Sequence, residues 1–177
     1  MGELGDRLAR GDQAAFAELY DLCADRLHHY LIVRLESRPD ADDVLQETFV
    51  RLARKRRKLA HVENLAAYAF TVARNEAMRL LARRTRDARN RDTLDANELF
   101  CQAAGNEVAA REAAELLAAA LMRVPAEQRE VVELKNYAGL TLAEIALVTR
   151  SPPGTVATRY RSGLAKLREW LAKEYHD

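Results

Sequence analysis

The stretch TLAEIALVTRSPPGTVATRYRSGLAKLREWL, residues 141–171, predicts a short helix, a tight turn and a longer basic helix. Its first four residues, Thr141-Leu-Ala-Glu144, form a capping box, in which two side chains satisfy free backbone amides at a helix start. The segment Ser151-Pro-Pro-Gly154 ends that helix, because proline lacks the amide hydrogen that a helix interior needs. This succession is typical of a helix-turn-helix motif.

The second helix of the motif has an apolar face and a polar face. The apolar face repeats at helical spacing through Val156, Tyr160, Leu164, Leu167 and Leu171. The polar side carries residue types that can contact base edges in a major groove: Thr155, Thr158, Arg159, Arg161 and Ser162. Further along the helix, Lys166 and Arg168 are suited to phosphates. The alternative is an ordinary amphipathic surface helix, which explains neither the capping box nor the turn.

The rest of the chain also shows helical periodicity, and no strand-like alternation competes with it. Gly11-Asp12 indicates a helix start, and Pro39 predicts a boundary after which Asp40 begins the next helix. Another long helix is expected from near Asn64, and others at 108–123 and 126–138. We predict an all-α fold of two small helical domains, residues 1–91 and 107–177, joined by a short linker at 92–106.

The charge is distributed in blocks, although the net charge is only +1. Residues 51–91 contain 13 basic and 3 acidic side chains, and the segment from 150 onward contains 6 and 3. Acidic residues dominate 1–50, with 11 against 5 basic, and 92–133, with 9 against 3. Two basic blocks separated by acidic ones indicate two contacts with a polyanion, although an isolated charge run is usually a solvated helix face.

Several classes of function are not supported by the sequence. No nucleophile, base and orienting group form a recognisable set, so an enzyme is not expected, and no cofactor or metal site is predicted. Asp40, Asp42 and Asp43 could hold magnesium, but carboxylates in a first helical turn more often compensate the helix dipole. Cys23 and Cys101 have no partner at metal-ligand spacing. No apolar run predicts membrane insertion or export, so a cytoplasmic location is expected.

Three groups of motifs, in order along the chain, resemble the sigma factors of bacterial RNA polymerase, in particular the two-domain extracytoplasmic-function group. The first is Asp40-Ala-Asp-Asp-Val-Leu-Gln-Glu-Thr-Phe49, and the second is Tyr68-Ala-Phe-Thr-Val-Ala-Arg-Asn75. The third begins at Val124-Pro-Ala-Glu-Gln-Arg-Glu-Val131 and continues through the helix-turn-helix. The ordered set covers both predicted domains and is far more specific than any one motif.

This resemblance implies a transcription initiation factor that binds core RNA polymerase, recognises promoter DNA and assists strand opening. The helix at 40–52 would bind core polymerase through Asp40, Asp43, Gln46 and Glu47. The following loop and helix would hold the downstream promoter element through Asn64, Tyr68, Arg74, Asn75, Arg79, Arg83 and Arg84. The helix-turn-helix would recognise the upstream element as duplex. The resemblance also implies an anti-sigma factor as a partner, although no residue of the sequence indicates one.

Three positions depart from the family pattern, and one competing function remains. The family usually has tryptophan where Tyr68 stands, and Tyr68 could equally be a core residue. It usually has an acidic residue where Arg79 stands, and glycine where Arg150 stands in the turn of the helix-turn-helix. A left-handed arginine costs on the order of 1 kcal/mol, so the turn could be reshaped by the two prolines that follow. The alternative is a free-standing helix-turn-helix regulator, in which the acidic helix at 40–52 would have no role.

Overall fold

The computed structural model describes residues 2–90 and 108–174, and every regular element in these ranges is a helix. A 3-10 helix at Arg56–His61 accompanies eight α-helices: α1 (Gly2–Arg10), α2 (Gln13–Leu35), α3 (Arg38–Arg54), α4 (Leu65–Asn90), α5 (Val108–Arg123), α6 (Ala126–Asn136), α7 (Leu142–Thr149) and α8 (Pro153–Glu174). The predicted all-α fold with a helix-turn-helix is confirmed. The predicted linker at 92–106 lies outside the described residues.

Most helix starts follow their local signals, with one correction. The Asp12 carboxylate caps α2 by accepting hydrogen bonds from the amides of Ala14 and Ala15 at 2.9 and 3.3 Å. The sequence predicts that Asp40 begins α3, and this prediction is wrong. Ser37 is the N-cap, and Pro39 lies inside the first turn. The amides of a first turn have no intrahelical acceptor, so proline costs nothing there and cannot serve as a helix stop.

Helices α1 to α4 and the 3-10 helix form the N-terminal lobe. Helix α1 was not predicted. It packs on the 3-10 helix, which occupies part of the loop expected after the helix at 40–52. The two helices can lie this close only because residue 5 is glycine, since a Cβ at Gly5 would lie 2.7 Å from the carbonyl oxygen of Leu59. Helices α2, α3 and α4 pack against one another around buried side chains that include Leu27, Leu52 and Phe70.

Helices α5 to α8 form the C-terminal lobe, in which α7 and α8 are the helix-turn-helix. Thr141 and Glu144 make the predicted capping box at the start of α7. Arg150 keeps the left-handed conformation with φ 53°, and the amide of Ser151 donates to the carbonyl of Ala146 at 3.1 Å. The turn therefore retains the backbone that usually requires glycine, and the adjacent prolines do not reshape it.

The two lobes pack directly on each other, α2 against α6 and α4 against α7. One cluster of buried apolar side chains continues from the N-terminal lobe into the C-terminal lobe, through residues such as Phe70, Ala77, Leu134 and Ile145. Where α6 meets α2, the Nε of Arg26 donates to the carbonyl oxygen of Ala138 at 2.8 Å. This bond satisfies a backbone acceptor just beyond the end of α6, where no intrahelical donor remains.

Five charged side chains form an ionic cluster at the junction: Arg34, Arg74, Arg129, Glu130 and Glu133. We call it the interlobe cluster. Two parallel bonds of 2.8 and 2.9 Å join Arg74 to Glu130, and Arg34 contacts Glu133 at 3.1 Å and Glu130 at 3.6 Å. The side chains of Arg34, Glu130 and Glu133 are only 8%, 9% and 4% exposed. Removing one partner from such a buried group leaves an unpaired charge and typically costs about 3–5 kcal/mol.

Replacing Arg150 by glycine should stabilise the protein, because glycine adopts a left-handed backbone without a steric cost. After the larger conformational entropy of glycine in the unfolded chain is subtracted, we expect about 0.5–1 kcal/mol in the free energy of unfolding. Urea denaturation measures this change. Arg150→Ala is the matched control, since it removes the guanidinium group but keeps Cβ, and an equal gain from alanine would contradict the explanation.

The stability should also depend on pH through Glu133. Burial raises the pKa of its carboxyl from 4.5 to about 6, although Arg34 and Arg129 oppose the shift. A raised carboxyl pKa in the folded state contributes stability that is fully present below the unfolded pKa and is lost as pH rises through the folded pKa. The free energy of unfolding should therefore decrease from about pH 5 to about pH 7 more steeply than in Glu133→Gln, whose amide does not titrate. Parallel pH profiles from urea denaturation would contradict this assignment.

Candidate nucleic-acid and polymerase interfaces

The outer face of α8 carries the residues predicted to bind duplex DNA. Val156 and Leu167 are buried against the lobe, and Tyr160, Leu164 and Leu171 are partly buried, as the apolar stripe predicted. This packing leaves the other face to solvent: Thr155, Thr158, Arg161, Lys166 and Arg168 are exposed, while Ser162 is half-buried. The structure thus presents two hydroxyl groups and three cations along one side of the helix.

Arg159 differs from its neighbours on α8 because the protein itself holds its guanidinium group. It donates to the Ser151 hydroxyl at 3.1 Å and forms an ion pair with Glu127 at the start of α6. These contacts connect the turn of the helix-turn-helix to α6. Contact with a base would require Arg159 to leave both partners.

A close approach between α6 and α8 fixes the position of the exposed helix face. A Cβ at Gly163 would lie 2.9 Å from Cγ2 of Val132 and 3.3 Å from the carbonyl oxygen of Gln128. The β-branched side chain of Val132 has little rotational freedom with which to move away. The backbones of the two helices can therefore approach closely only with glycine here.

The acidic face of α3 presents the residues that the resemblance assigns to core polymerase. Asp43 and Gln46 are exposed. Glu47 is half-buried and accepts a 2.6 Å hydrogen bond from Arg51, which also contacts Glu76 at 3.1 Å. Asp40 forms an ion pair with Arg84 of α4. Asp43 and Gln46 are thus the most accessible of the four, and Asp40 and Glu47 are held by arginines of their own lobe.

The start of α4 connects the two lobes through Asn64. Its side-chain oxygen accepts a hydrogen bond from the amide of Ala67 at 2.8 Å, so that it caps α4. Its side-chain nitrogen donates to Glu144 of α7 at 3.2 Å. Tyr68, one turn further on, is partly buried against the apolar core. The side-chain oxygen and nitrogen of Asn64 therefore each have one partner within the protein.

The remaining α4 candidates divide into engaged and exposed side chains. Arg74 is held by Glu130 in the interlobe cluster, and its pKa is raised chiefly by the hydrogen bonds to that carboxylate. Arg84 donates to the carbonyl of Leu35 at 3.0 Å as well as pairing with Asp40. Asn75, Arg79 and Arg83 are exposed, and Arg79 pairs with Glu76 at 2.8 Å. The structure therefore does not place all seven candidates on one open surface.

Sequence reasoning missed the partners on the C-terminal lobe, namely Glu130, Glu133 and Glu144. The capping box identified Glu144, but only as a local helix-start residue. Its carboxylate also reaches Asn64, and both sets of hydrogen bonds lower its pKa, the backbone bond from Thr141 being the largest cause. Glu130 and Glu133 lie in one buried stretch of α6, together with Val131, Val132 and Leu134. Acidic residues within a buried stretch of a short helix are the signal that could have indicated a specific partner.

The described residues contain neither a candidate metal site nor a candidate membrane-spanning helix. Among them, no three His, Cys, Asp or Glu side chains approach one another closely enough to hold a metal ion. No helix in the described ranges combines the length and apolar character needed to cross a membrane.

Comparison with known proteins gives matches to both lobes. The Sigma-70 region 2 family matches residues 19–87, and the Sigma-70, region 4 family matches residues 114–167. The ECF RNA polymerase sigma factor SigL of Mycobacterium tuberculosis is 30% identical over 164 residues, which is 90% of each chain. SigW of Bacillus subtilis is 26% identical over 93% of each chain. BldN of Streptomyces coelicolor is 31% identical, and the match spans 92% of this chain but 62% of BldN.

Two solved structures share the fold. CnrH in complex with the cytosolic domain of CnrY has a TM-score of 0.71 at 24% identity and covers 97% of each chain. The sigma factor RpoE in complex with the anti-sigma factor NepR from Bartonella quintana has a TM-score of 0.73 at 23% identity, over 89% of this chain and 96% of RpoE. The two family matches stand in order along the chain, and SigL is similar over 90% of its length. The chain therefore belongs to the ECF sigma factors, which are RNA polymerase subunits that act in transcription initiation.

Proposed function

We propose that this sigma factor works by binding alone, without a catalytic step of its own, in the cytoplasm. The N-terminal lobe, residues 1–91, binds core polymerase and the downstream promoter element, and the C-terminal lobe, residues 107–177, binds the upstream element. Strand opening uses the free energy of these contacts, so no nucleotide cofactor is required. The observation that carries the proposal is the separation of an acidic face on α3 from a cationic face on α8.

The face of α3 formed by Asp40, Asp43, Gln46 and Glu47 is the proposed site for core polymerase. Exposed carboxylates repel a phosphate backbone, but they complement a basic protein surface and accelerate its association. Asp43 and Gln46 are exposed and would make the first contacts. Arg51 and Arg84 hold Glu47 and Asp40 in fixed orientations, which reduces the entropy that binding must overcome.

The face of α8 is the proposed reader of the upstream element. Thr155, Thr158 and Arg161 lie near the start of the helix, where a recognition helix enters the major groove. Lys166 and Arg168 are further along, at a position suited to the phosphate backbone. For the downstream element we propose Asn64, Tyr68, Arg74, Asn75, Arg79, Arg83 and Arg84 on α4 and at its start.

An anti-sigma factor is the proposed regulatory partner. The two similar structures are both complexes, one of the sigma factor RpoE with the anti-sigma factor NepR and the other of CnrH with the cytosolic domain of CnrY. Among the residues described here, a groove between the lobes has apolar side chains, among them Val33, Leu81, Leu121 and Met122. Met122 is exposed, so an apolar partner helix would gain contact area there.

Reversing the charge of the α3 face should prevent transcription by blocking polymerase binding. We expect Asp43→Lys with Glu47→Lys to abolish co-elution with sigma-free core polymerase and to abolish run-off transcripts from upstream fragments of the source genome. The matched control is Glu3→Lys with Asp6→Lys, an equal change of charge on exposed residues of α1, which should keep both activities. If the α3 variant still co-elutes and transcribes normally, this face is not the polymerase site. If the unmodified protein neither co-elutes nor transcribes, it acts instead as a free-standing regulator.

A further inference from the structure

A small cleft lies between the end of α5 and the C-terminal half of α8. Its volume is about 150 Å³, and buried Ala120 and Val124 are among its lining residues. The indole ring of Trp170 also lines the cleft, and the sequence has no second tryptophan. The other lining residues are charged: Arg123, Lys166, Glu169 and Lys173. Of all these residues, the proposed function uses only Lys166.

Arg123 is the cation of this cleft that is best prepared to bind an anion. The central carbon of its guanidinium group lies 5.4 Å from the centroid of the Trp170 ring, which is a cation–π contact. Such a contact holds the guanidinium group in place without a hydrogen-bond acceptor. Within residues 2–90 and 108–174, Arg123 donates no hydrogen bond and pairs with no carboxylate. Its N–H donors are therefore available to a ligand.

Compensation of a helix dipole does not by itself explain this arrangement. Arg123 is the last residue of α5, where a cation offsets the negative end of the helix. That role requires neither an aromatic partner nor a second cation. The cleft has both, because Lys166 of α8 lines it as well, exposed and without an ion pair in the described part of the chain. Two cations without anionic partners thus flank one indole ring.

The cleft continues the proposed DNA-reading side of α8. Thr155, Ser162 and Lys166 are separated by seven and four positions, a spacing that puts them on one side of a helix. At the rise of an α-helix, Lys166 lies about 16 Å from Thr155 along the axis. The major groove is about 12 Å wide, so a helix that inserts its first turns there brings its later turns to the phosphate backbone.

We propose that Arg123 and Lys166 form a phosphate site, which takes a backbone phosphate of the upstream duplex beyond the bases that α8 reads. The inference rests on the proposed upstream role of α8. Arg123 donates to the phosphate oxygens, and Lys166 supplies a second positive charge. Trp170 is a positioning residue that holds Arg123. Because phosphates carry no sequence information, this site adds affinity and fixes the orientation of the lobe, but it does not discriminate between sequences.

Glu169 limits the strength of this site. Its carboxylate accepts a 2.9 Å hydrogen bond from Lys173, and both side chains are exposed. The pairing reduces the positive charge that Lys173 offers to a ligand, and the carboxylate repels an approaching phosphate. Removing Glu169 should therefore strengthen the site, whereas removing Arg123 should weaken it. A gain in affinity cannot result from misfolding.

Fluorescence anisotropy with the full chain tests the site on two labelled duplexes. One is an upstream fragment of a promoter that the run-off assay identifies, and the other is a random sequence of the same length. We expect Arg123→Gln to lower both affinities about five- to eightfold at about 0.10–0.15 M salt, and to reduce the slope of log affinity against log salt by about 0.9, as for one lost phosphate contact. Glu169→Gln should raise both affinities. The matched controls, Arg10→Gln and Glu3→Gln, change the charge of exposed residues of α1 and should alter neither affinity.

The single tryptophan also provides a direct readout of the site. The fluorescence of Trp170 should change as either duplex saturates the protein, and it should not change with inorganic phosphate at the same phosphate concentration. Trp170→Leu should lower both affinities, because it removes the support of Arg123. Adding Trp170→Leu to Arg123→Gln should cause no further loss, since a positioning residue acts only through the group that it holds.

Four results would overturn the proposal. They are unchanged binding by Arg123→Gln, an equal loss in Arg10→Gln, a loss on the promoter duplex alone, and saturation of the Trp170 signal by inorganic phosphate. The third result would mean that Arg123 contacts a base, and the fourth that a free anion is the ligand. A failure of the proposed upstream role is recognised separately. In that case the unmodified protein would bind the promoter duplex no more tightly than the random one, while Arg123→Gln would still reduce the salt slope on both.

Discussion

The constraint on which the rest of the structure depends is the burial of Glu130 and Glu133 between arginines from both lobes. Two carboxylates on a short helix cannot be buried without partners, and Arg34 and Arg74 supply them from α2 and α4. Helix α6 is thereby fixed against the N-terminal lobe. Helices α7 and α8 follow, because Gly163 allows α8 to lie close against α6. The orientation of the proposed DNA-reading face of α8 is thus determined by charges far from it.

The same cluster connects the architecture to the function of a sigma factor. Helix α4 supplies both an anchor for the C-terminal lobe and the proposed contacts with the downstream element. The proposed polymerase-binding residues of α3 take no part in the interlobe cluster, and Asp43 and Gln46 are exposed. The exposed face of α8 is also uncovered. Of the three proposed binding surfaces, the one on α4 includes two residues, Asn64 and Arg74, that contact the other lobe.

The sequence predicted what local chemistry determines. Three predicted features depend only on residues a few positions apart: the Asp12 cap, the capping box at Thr141 and the bounds of α5. The structure has all three features. The α3 start was misplaced, because Ser37 and Asp40 are both acceptable N-cap residues around a tolerated proline. The interlobe contacts join residues that are 56 and 80 positions apart, Arg74 with Glu130 and Asn64 with Glu144. No local period connects such pairs, so a single sequence could not reveal that two of the candidate DNA residues, Asn64 and Arg74, contact the other lobe.

A distance measurement between the lobes tests this account most directly. Spin labels on cysteines introduced at Asp21 of α2 and Leu147 of α7, both exposed, would be measured by pulsed electron paramagnetic resonance after Cys101 is replaced by serine. We predict one narrow distance distribution in the unmodified protein and a broader one in Glu133→Lys, which places a cation against Arg34 and Arg129. A broad distribution in the unmodified protein, or an unchanged distribution in the Glu133→Lys variant, would contradict the account.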